Sequence, residues 1–158
     1  KGVNQGLEVE AVFQASDRLQ LSANLGLLDT EYEDYVNGAG EDLGGRYQAQ
    51  APTYHFYLAA DYQLADGLRL NVNLDGKDDY YFSAGHGERS ASYTVLNSAL
   101  SYSTRGWDLS VWGRNLADKD YFLRGFSFPN DPRDGYTSTR WTQLGAPRQF
   151  GVTAKASF

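Results

Sequence analysis

The sequence predicts an all-β fold: an antiparallel up-and-down meander of about seven strands, apolar on one face and polar on the other. Three observations carry that expectation. Apolar residues recur at every second position through seven runs, with almost no helical periodicity. Within those runs every charged side chain falls on the parity opposite the apolar set. The connections between runs alternate strictly between short and long.

The first apolar face is Leu7, Val9, Ala11, Phe13 and Ala15, and the second is Leu19, Leu21, Ala23, Leu25 and Leu27. Tyr54, Phe56, Leu58, Ala60 and Tyr62 make the third, and Leu68, Leu70, Val72 and Leu74 the fourth. The fifth run is weaker. Leu96, Leu100 and Tyr102 alternate, but Val95 and Ala99 soften the opposite side. Trp107, Leu109, Val111 and Gly113 form the sixth. The seventh runs from Phe150 to Phe158, with Val152, Ala154 and Ala156 between them.

Glu8, Glu10, Asp61, Arg69, Asp75, Lys77, Asp108, Arg114 and Lys155 all sit on the polar parity. An Arg or Lys on a lipid-facing strand position near the midplane costs on the order of 2–4 kcal/mol, whereas a charge facing a watery lumen stays hydrated. Alternation alone also suits a soluble sandwich with its apolar faces packed inward. Connection lengths favour a barrel. Ser16-Asp17-Arg18, Leu64-Ala65-Asp66-Gly67 and Ser103-Thr104-Arg105-Gly106 are short, while residues 28–53, 82–92 and 117–146 form long connections. Periplasmic turns and extracellular loops produce this pattern, which would put the C-terminus at the periplasmic rim.

The chain ends on a strand whose last residue is an aromatic at the free carboxylate, as the closing strand of an outer-membrane barrel does. Phe150, Val152 and Phe158 are the residues expected to be read by barrel-insertion machinery. The composition agrees: twelve Tyr, eight Phe and three Trp suit interfacial aromatic girdles. No run approaches the roughly 20 apolar residues of a membrane-spanning helix. The chain has no Cys, which fits an oxidising compartment as it fits chance in a short sequence. It has no initial Met, signal peptide or turn before its first run, which predicts the C-terminal piece of a longer protein.

Two segments resemble a known family, the TonB-dependent outer-membrane receptors. Residues Trp107 to Tyr121, WDLSVWGRNLADKDY, resemble its Trp-led strand running into Asn-Leu-Phe-Asp-Lys-x-Tyr. Gly145-Ala146-Pro147-Arg148 resembles its Gly-x-Pro-Arg approach to the final strand. Ala117 stands where the family usually has Phe, and Ala156 where an aromatic is common. The resemblance implies that residues 1–158 are the C-terminal segment of a 22-stranded transmembrane β-barrel. It also implies a plug domain and a TonB box outside this chain, and import of a scarce nutrient energised through the TonB complex. A ferric siderophore or other iron complex is the expected cargo, being the family's commonest. The alternatives are a structural or adhesive outer-membrane barrel without active transport, and a soluble β-sandwich binding module.

Enzymatic readings find no support: there is no Cys nucleophile and no Gly-x-Ser-x-Gly elbow. No cofactor and no resident metal are expected, since His55 and His86 lack partners at ligand spacing. His55 falls on the polar parity as a hydrated lumen residue, and His86 lies in a plain extracellular loop. Asp29, Glu31, Glu33, Asp34, Glu41 and Asp42 could bind Ca²⁺ or bridge lipopolysaccharide through divalent ions, but their spacing misses the helix–loop calcium pattern. They read as a solvated acidic loop. A net charge of −6 argues against nucleic-acid binding. The expected partners are outer-membrane lipid and lipopolysaccharide, the TonB complex and a small iron chelate.

Candidate recognition residues lie between Leu123 and Leu144: Arg124, Phe126, Phe128, Tyr136, Arg140 and Trp141. Aromatics offer rigid contact area, and Arg pairs with carboxylate or phosphate groups. The same loop could instead pack on its neighbours, with Arg gripping lipopolysaccharide phosphates. Four facing and girdle expectations complete the reading. Leu21, Leu25, Phe56, Leu58, Leu70, Val72, Leu109, Val111 and Val152 should lie exposed on the convex side. Glu10, Asp61, Arg69, Asp75, Arg114 and Lys155 should line the concave one. Tyr62, Tyr102, Trp107 and Phe158 should mark the periplasmic rim. Tyr54, Tyr80, Tyr81 and Tyr121 should mark the opposite rim.

Overall fold

The structure is a computed structural model that describes residues 1–157. Its strands are β1 (Gly2–Ser16), β2 (Leu19–Tyr32), β3 (Tyr54–Ala65), β4 (Leu68–Lys77), β5 (Tyr80–Tyr81) and β6 (Arg89–Ser90). There follow β7 (Tyr93–Ser103), β8 (Trp107–Arg114), β9 (Phe122–Phe128), β10 (Thr139–Leu144) and β11 (Gln149–Ala156). Seven of them form one antiparallel sheet in the order β1-β2-β3-β4-β7-β8-β11. The sheet is open among the described residues, with β1 and β11 at its two edges.

The cross-strand partners show why the sequence alternates. Leu25 opposes Val9 on one side and Phe56 on the other. Leu58 opposes Leu74, Leu70 opposes Leu100, and Leu100 opposes Val111, which meets Val152. Successive side chains point to opposite faces, so this pairing assembles one apolar face across all seven strands. None of the nine residues expected on it is buried: Leu21, Leu25, Leu58, Leu109, Val111 and Val152 are exposed, and Phe56, Leu70 and Val72 are partly so. Val152 reaches 73 % exposure and Phe150 69 %, values that a water-soluble core strand would not show.

The other face is polar. Glu10, Asn24, Tyr57 and Asp75 lie level with one another across β1 to β4. Gln20, Asp61 and Asn71 form a second row, and Ser103, Asp108 and Lys155 a third. Among the described residues no opposing second sheet packs against either face, which removes the β-sandwich alternative.

Three differences from the sequence reading have physical causes. β1 starts at Gly2 rather than Leu7, because backbone pairing with residues 28–32 continues where the alternation lapses at Val3-Asn4-Gln5. The long connections are folded. Residues 82–92 join the β5–β6 hairpin, and residues 117–146 contain the β9–β10 hairpin with a 3-10 turn at Pro132–Asp134. An isolated bridge between Val36 and Asp42 closes the connection after β2. Finally, Val95 does more than soften the fifth run. Together with Leu43, Tyr80, Phe82 and Tyr93 it is among the buried apolar residues, all of which lie at the long-connection end. The chain's small apolar core therefore sits under its loops.

The short turns are tight. Gly67 adopts φ 73°, the left-handed region, and a side chain there would strike the carbonyl of Ser103 in the neighbouring turn. Tyr62, Tyr102 and Trp107 all lie at this short-turn end and are exposed. Phe158 lies outside the described residues.

Candidate functional site

On the polar face, near the long-connection end, lies a cleft of about 430 Å³. Tyr57 from β3, Asp75 from β4, Arg114 from β8 and Tyr121 from the following loop help line it. Strand geometry places them there. Tyr57, Asp75 and Arg114 have the parity opposite the apolar face, so their side chains stand on the polar side.

A file of carboxamides crosses the floor. Asn71 donates to Asp61 (3.2 Å), Asn73 to Asn71 (2.9 Å) and Asn97 to Asn73 (2.9 Å). The backbone N–H of Asn115 then donates to Asn97 Oδ1 at 3.0 Å. His55 Nε2 stands 3.3 Å from Asp75 Oδ2, and His55 is exposed on the polar side, as its parity predicts. Arg114 has no carboxylate partner among the described residues, and its guanidinium lies 5.1 Å from the Trp112 ring centroid. Within the cleft, Asp75 and Arg114 are the charged lining residues, against four carboxamide side chains.

Tyr121, Leu123 and Ala146 bring the loops to the edge of this cleft. Tyr80 donates its hydroxyl to Leu123 O (3.0 Å), and Ser90 donates to Phe122 O (3.0 Å), which binds the β5–β6 hairpin to β9. Tyr93 stacks on Tyr121 with centroids 4.3 Å apart, and Lys77 lies over both Tyr80 and Tyr93. Burial pushes the Tyr80 phenol above its ordinary pKa, opposed by its hydrogen bond with Ser90. Tyr80 and Tyr81 were expected to mark a membrane girdle, and this is corrected. Tyr80 is 3 % exposed, and Tyr81 lies between the guanidinium groups of Arg46 (3.8 Å) and Arg89 (4.4 Å). Tyr80 packs in the core under the loops, and Tyr81 packs against the two guanidinium groups.

His86 also departs from the plain loop residue expected. Its side chain is 14 % exposed and pairs with Glu88, while Arg46 donates to the carbonyls of Ser83 (2.6 Å) and His86 (2.9 Å). Several of the acidic residues at the end of β2 and in the connection after it have partners. Asp29 accepts from Gln5, Glu41 from Asn37, Asp42 from the Gly44 backbone, and Glu33 pairs with Lys1. No group of three or more potential metal ligands is found among the described residues.

The β9–β10 hairpin carries the six candidate recognition residues but does not bring them together. Phe126 opposes Trp141, while Arg124 and Phe128 share the parity of Phe126. That face is exposed. Arg140 opposes Ser127 on the other face, the one whose Gly125 abuts the Phe82 ring. Tyr136 stands apart in the turn at φ 61°.

The two motif segments interlock. Asn115, 2 % exposed and left-handed at φ 49°, donates to Lys119 O (2.9 Å) and Ala146 O (3.0 Å) and accepts from Lys119 N–H (2.9 Å). Asp118 accepts from the Arg148 backbone at 3.0 Å and pairs with its guanidinium at 3.3 Å. Gly145 donates to Tyr121 O at 2.8 Å, and the Tyr121 ring occupies the space a side chain at 145 would need. Phe150 and Val152 stand exposed on the apolar face beyond this knot.

These features define a two-faced transmembrane barrel wall with a polar cleft bordered by loops. Residues 1–116 match the family described as TonB dependent receptor-like, beta-barrel, and the chain belongs to that family of outer-membrane β-barrel receptors. It is 26 % identical to a ferrioxamine receptor of Yersinia enterocolitica over 131 residues, 78 % of this chain and 18 % of that protein. It resembles the ferric yersiniabactin uptake receptor FyuA of Yersinia pestis with a TM-score of 0.78 at 19 % identity, covering 99 % of this chain and 24 % of that one. The siderophore receptor PiuA of Acinetobacter baumannii gives 0.74 at 18 % identity, covering 97 % and 21 %. The chain thus spans about a fifth of the curated relative it matches.

Proposed function

We propose that this chain is the C-terminal portion of the barrel of an outer-membrane active transporter that imports a ferric siderophore or other iron complex. In this reading the plug domain and TonB box belong to other parts of the parent protein, and TonB supplies the energy. The long connections face outside and the C-terminus lies at the periplasmic rim, where Phe150, Val152 and Phe158 serve the insertion machinery. The observation that carries the reading is the uncovered apolar face across seven strands, backed by a polar cleft bordered by folded loops. An apolar surface of that extent needs lipid. A polar face with a cleft suits a solute path more than an adhesive shell.

The family and the relatives named for ferrioxamine and ferric yersiniabactin support iron-complex cargo. The test is uptake of radiolabelled iron chelates by cells expressing the full-length receptor, with and without functional TonB. Uptake that collapses without TonB is expected. Uptake unchanged by loss of TonB, or none above that of cells without the receptor, would favour the structural barrel.

A further inference from the structure

The cleft and the rim above it also bear on which iron complex is carried, an inference that rests on the transport reading. We propose that the cleft lined by Tyr57, Asp75, Arg114 and Tyr121 takes a ferric chelate of zero or single positive charge, of the trihydroxamate kind, and rejects a tricatecholate trianion.

The charge inventory comes first. Three hydroxamates neutralise Fe³⁺, and an ammonium tail makes the complex a monocation. Three catecholates leave it with three negative charges. A site for a trianion needs several unpaired cations, because buried anions must be matched. This cleft offers one, Arg114, and sets the carboxylate of Asp75 in the same wall. Lys77, the nearest further cation on the polar face, is turned onto the Tyr80 and Tyr93 rings. Arg46 and Arg89 are engaged by Tyr81, by loop carbonyls and by Asp79.

The remaining lining matches a chelate rich in amide and hydroxamate groups. Gln149 presents a carboxamide that both donates and accepts, and Asn73 and Asn97, though each gives one donor and one acceptor contact to the file, keep a second N–H and a second lone pair for hydroxamate and amide groups. Tyr57 and Tyr121 offer ring faces for methylene spacers or an ammonium group. Asp75 uses Oδ2 toward His55, while Oδ1 has no hydrogen-bond partner among the described residues. Arg114 is the donor suited to the oxygens around the metal.

The rim adds a long-range bias of the same sign. Lys1 and residues 29–53, 78–92 and 115–148, all at the long-connection end, hold thirteen acidic and eight basic side chains. An acidic mouth concentrates cations and depletes trianions before contact. Specificity then comes from repulsion as well as attraction.

The test is equilibrium binding to the purified full-length receptor, using a linear ferric trihydroxamate with a free ammonium, the same chelate N-acetylated, and a ferric tricatecholate. Both trihydroxamates should bind about tenfold or more tighter than the trianion, with the gap narrowing as salt rises. Asp75→Asn should remove the preference of the ammonium form over its acetylated twin. Arg114→Gln should weaken both trihydroxamates. Circular dichroism and surface expression verify that each variant folds. If a variant does not fold, Asp75→Glu, Arg114→Lys and the wild-type preference carry the test. Tricatecholate binding equal to or tighter than trihydroxamate overturns the charge selection. So do folded Asp75 and Arg114 variants with unchanged affinities. TonB-dependent uptake of the trianion would leave the transport reading standing while ending this one, whereas failure of every chelate to bind would end both.

Discussion

The side-chain amide of Asn115 donates to the backbone carbonyl of Ala146 at 3.0 Å, joining two chain segments on either side of the β9–β10 hairpin. The same amide group holds both the N–H and the carbonyl of Lys119. Asn115 thus closes the base of the 34-residue excursion between β8 and β11, and Asp118 with Arg148 adds a second closure. The motif residues that identify the family are in this chain a clasp between adjacent strands.

Replacing Asn115 with Ala removes its side-chain hydrogen bonds to the backbone of the exposed residues Lys119 and Ala146. The expected loss is about 0.5–1.5 kcal/mol per hydrogen bond, read as a lower urea midpoint of the folded barrel. Asn115→Gly separates the causes, because it keeps the left-handed backbone at φ 49° but lacks the amide. Equal losses for Ala and Gly would assign the cost to the hydrogen bonds. A stable Gly variant would reject that account.

Gly145→Ala should destabilise the strand approach by about 1–3 kcal/mol through overpacking against the Tyr121 ring. Gly87→Ala, where a side chain meets nothing within 4 Å, should be neutral. Adding Tyr121→Ala to the Gly145 variant should recover part of the loss, as heat-modifiability on gels can register. No recovery would mean the damage is elsewhere.

Exposure does not separate Val111 (59 %) from Val12 (68 %), but strand parity does. Val111 stands on the apolar face between Leu100 and Val152, while Val12 opposes Ser22 on the polar one. Val111→Arg should cost about 2–4 kcal/mol and reduce insertion into the outer membrane. Val12→Arg should insert normally. Equal insertion of the two variants would contradict the assignment of faces.

The hairpin contribution to recognition predicts weaker chelate binding for the triple change of Arg124, Arg140 and Trp141 to Ala, at normal surface expression. Since Arg140 lies on the face opposite Arg124 and Trp141, single changes should be unequal. Unchanged affinity in the triple variant would end that role and leave the hairpin to packing or to lipopolysaccharide phosphates.

Asp131 caps the 3-10 turn by accepting from the Arg133 backbone at 2.9 Å, and Arg133 holds its carboxylate below the usual range. A carboxylate whose folded pKa is depressed stabilises above its unfolded pKa and loses that contribution as pH falls through the folded value. The turn should therefore be indifferent to pH near neutrality and loosen only in acid below the ordinary Asp range. Amide exchange at Arg133 reports this, and loosening between pH 6 and 8 would refute the cap.

The seven strands of the main sheet, their pairing order and the two faces were legible because a sheet imposes period two on any chain whose faces meet different solvents. Leu25, Leu58, Leu100 and Val111 declare their side one by one, with no knowledge of their partners. The family motifs were legible in the same local way. Long-range packing was not. Nothing in Tyr80, Phe82 or Val95 announces that they bury together, since that depends on the β5–β6 hairpin folding onto β9 across some 40 residues of sequence. Nor does sequence spacing show that Asp75 and Arg114 share a cleft, or that Arg140 faces away from Trp141. Local periodicity sets which way a side chain points. Only the closure of loops over the sheet decides what it meets there.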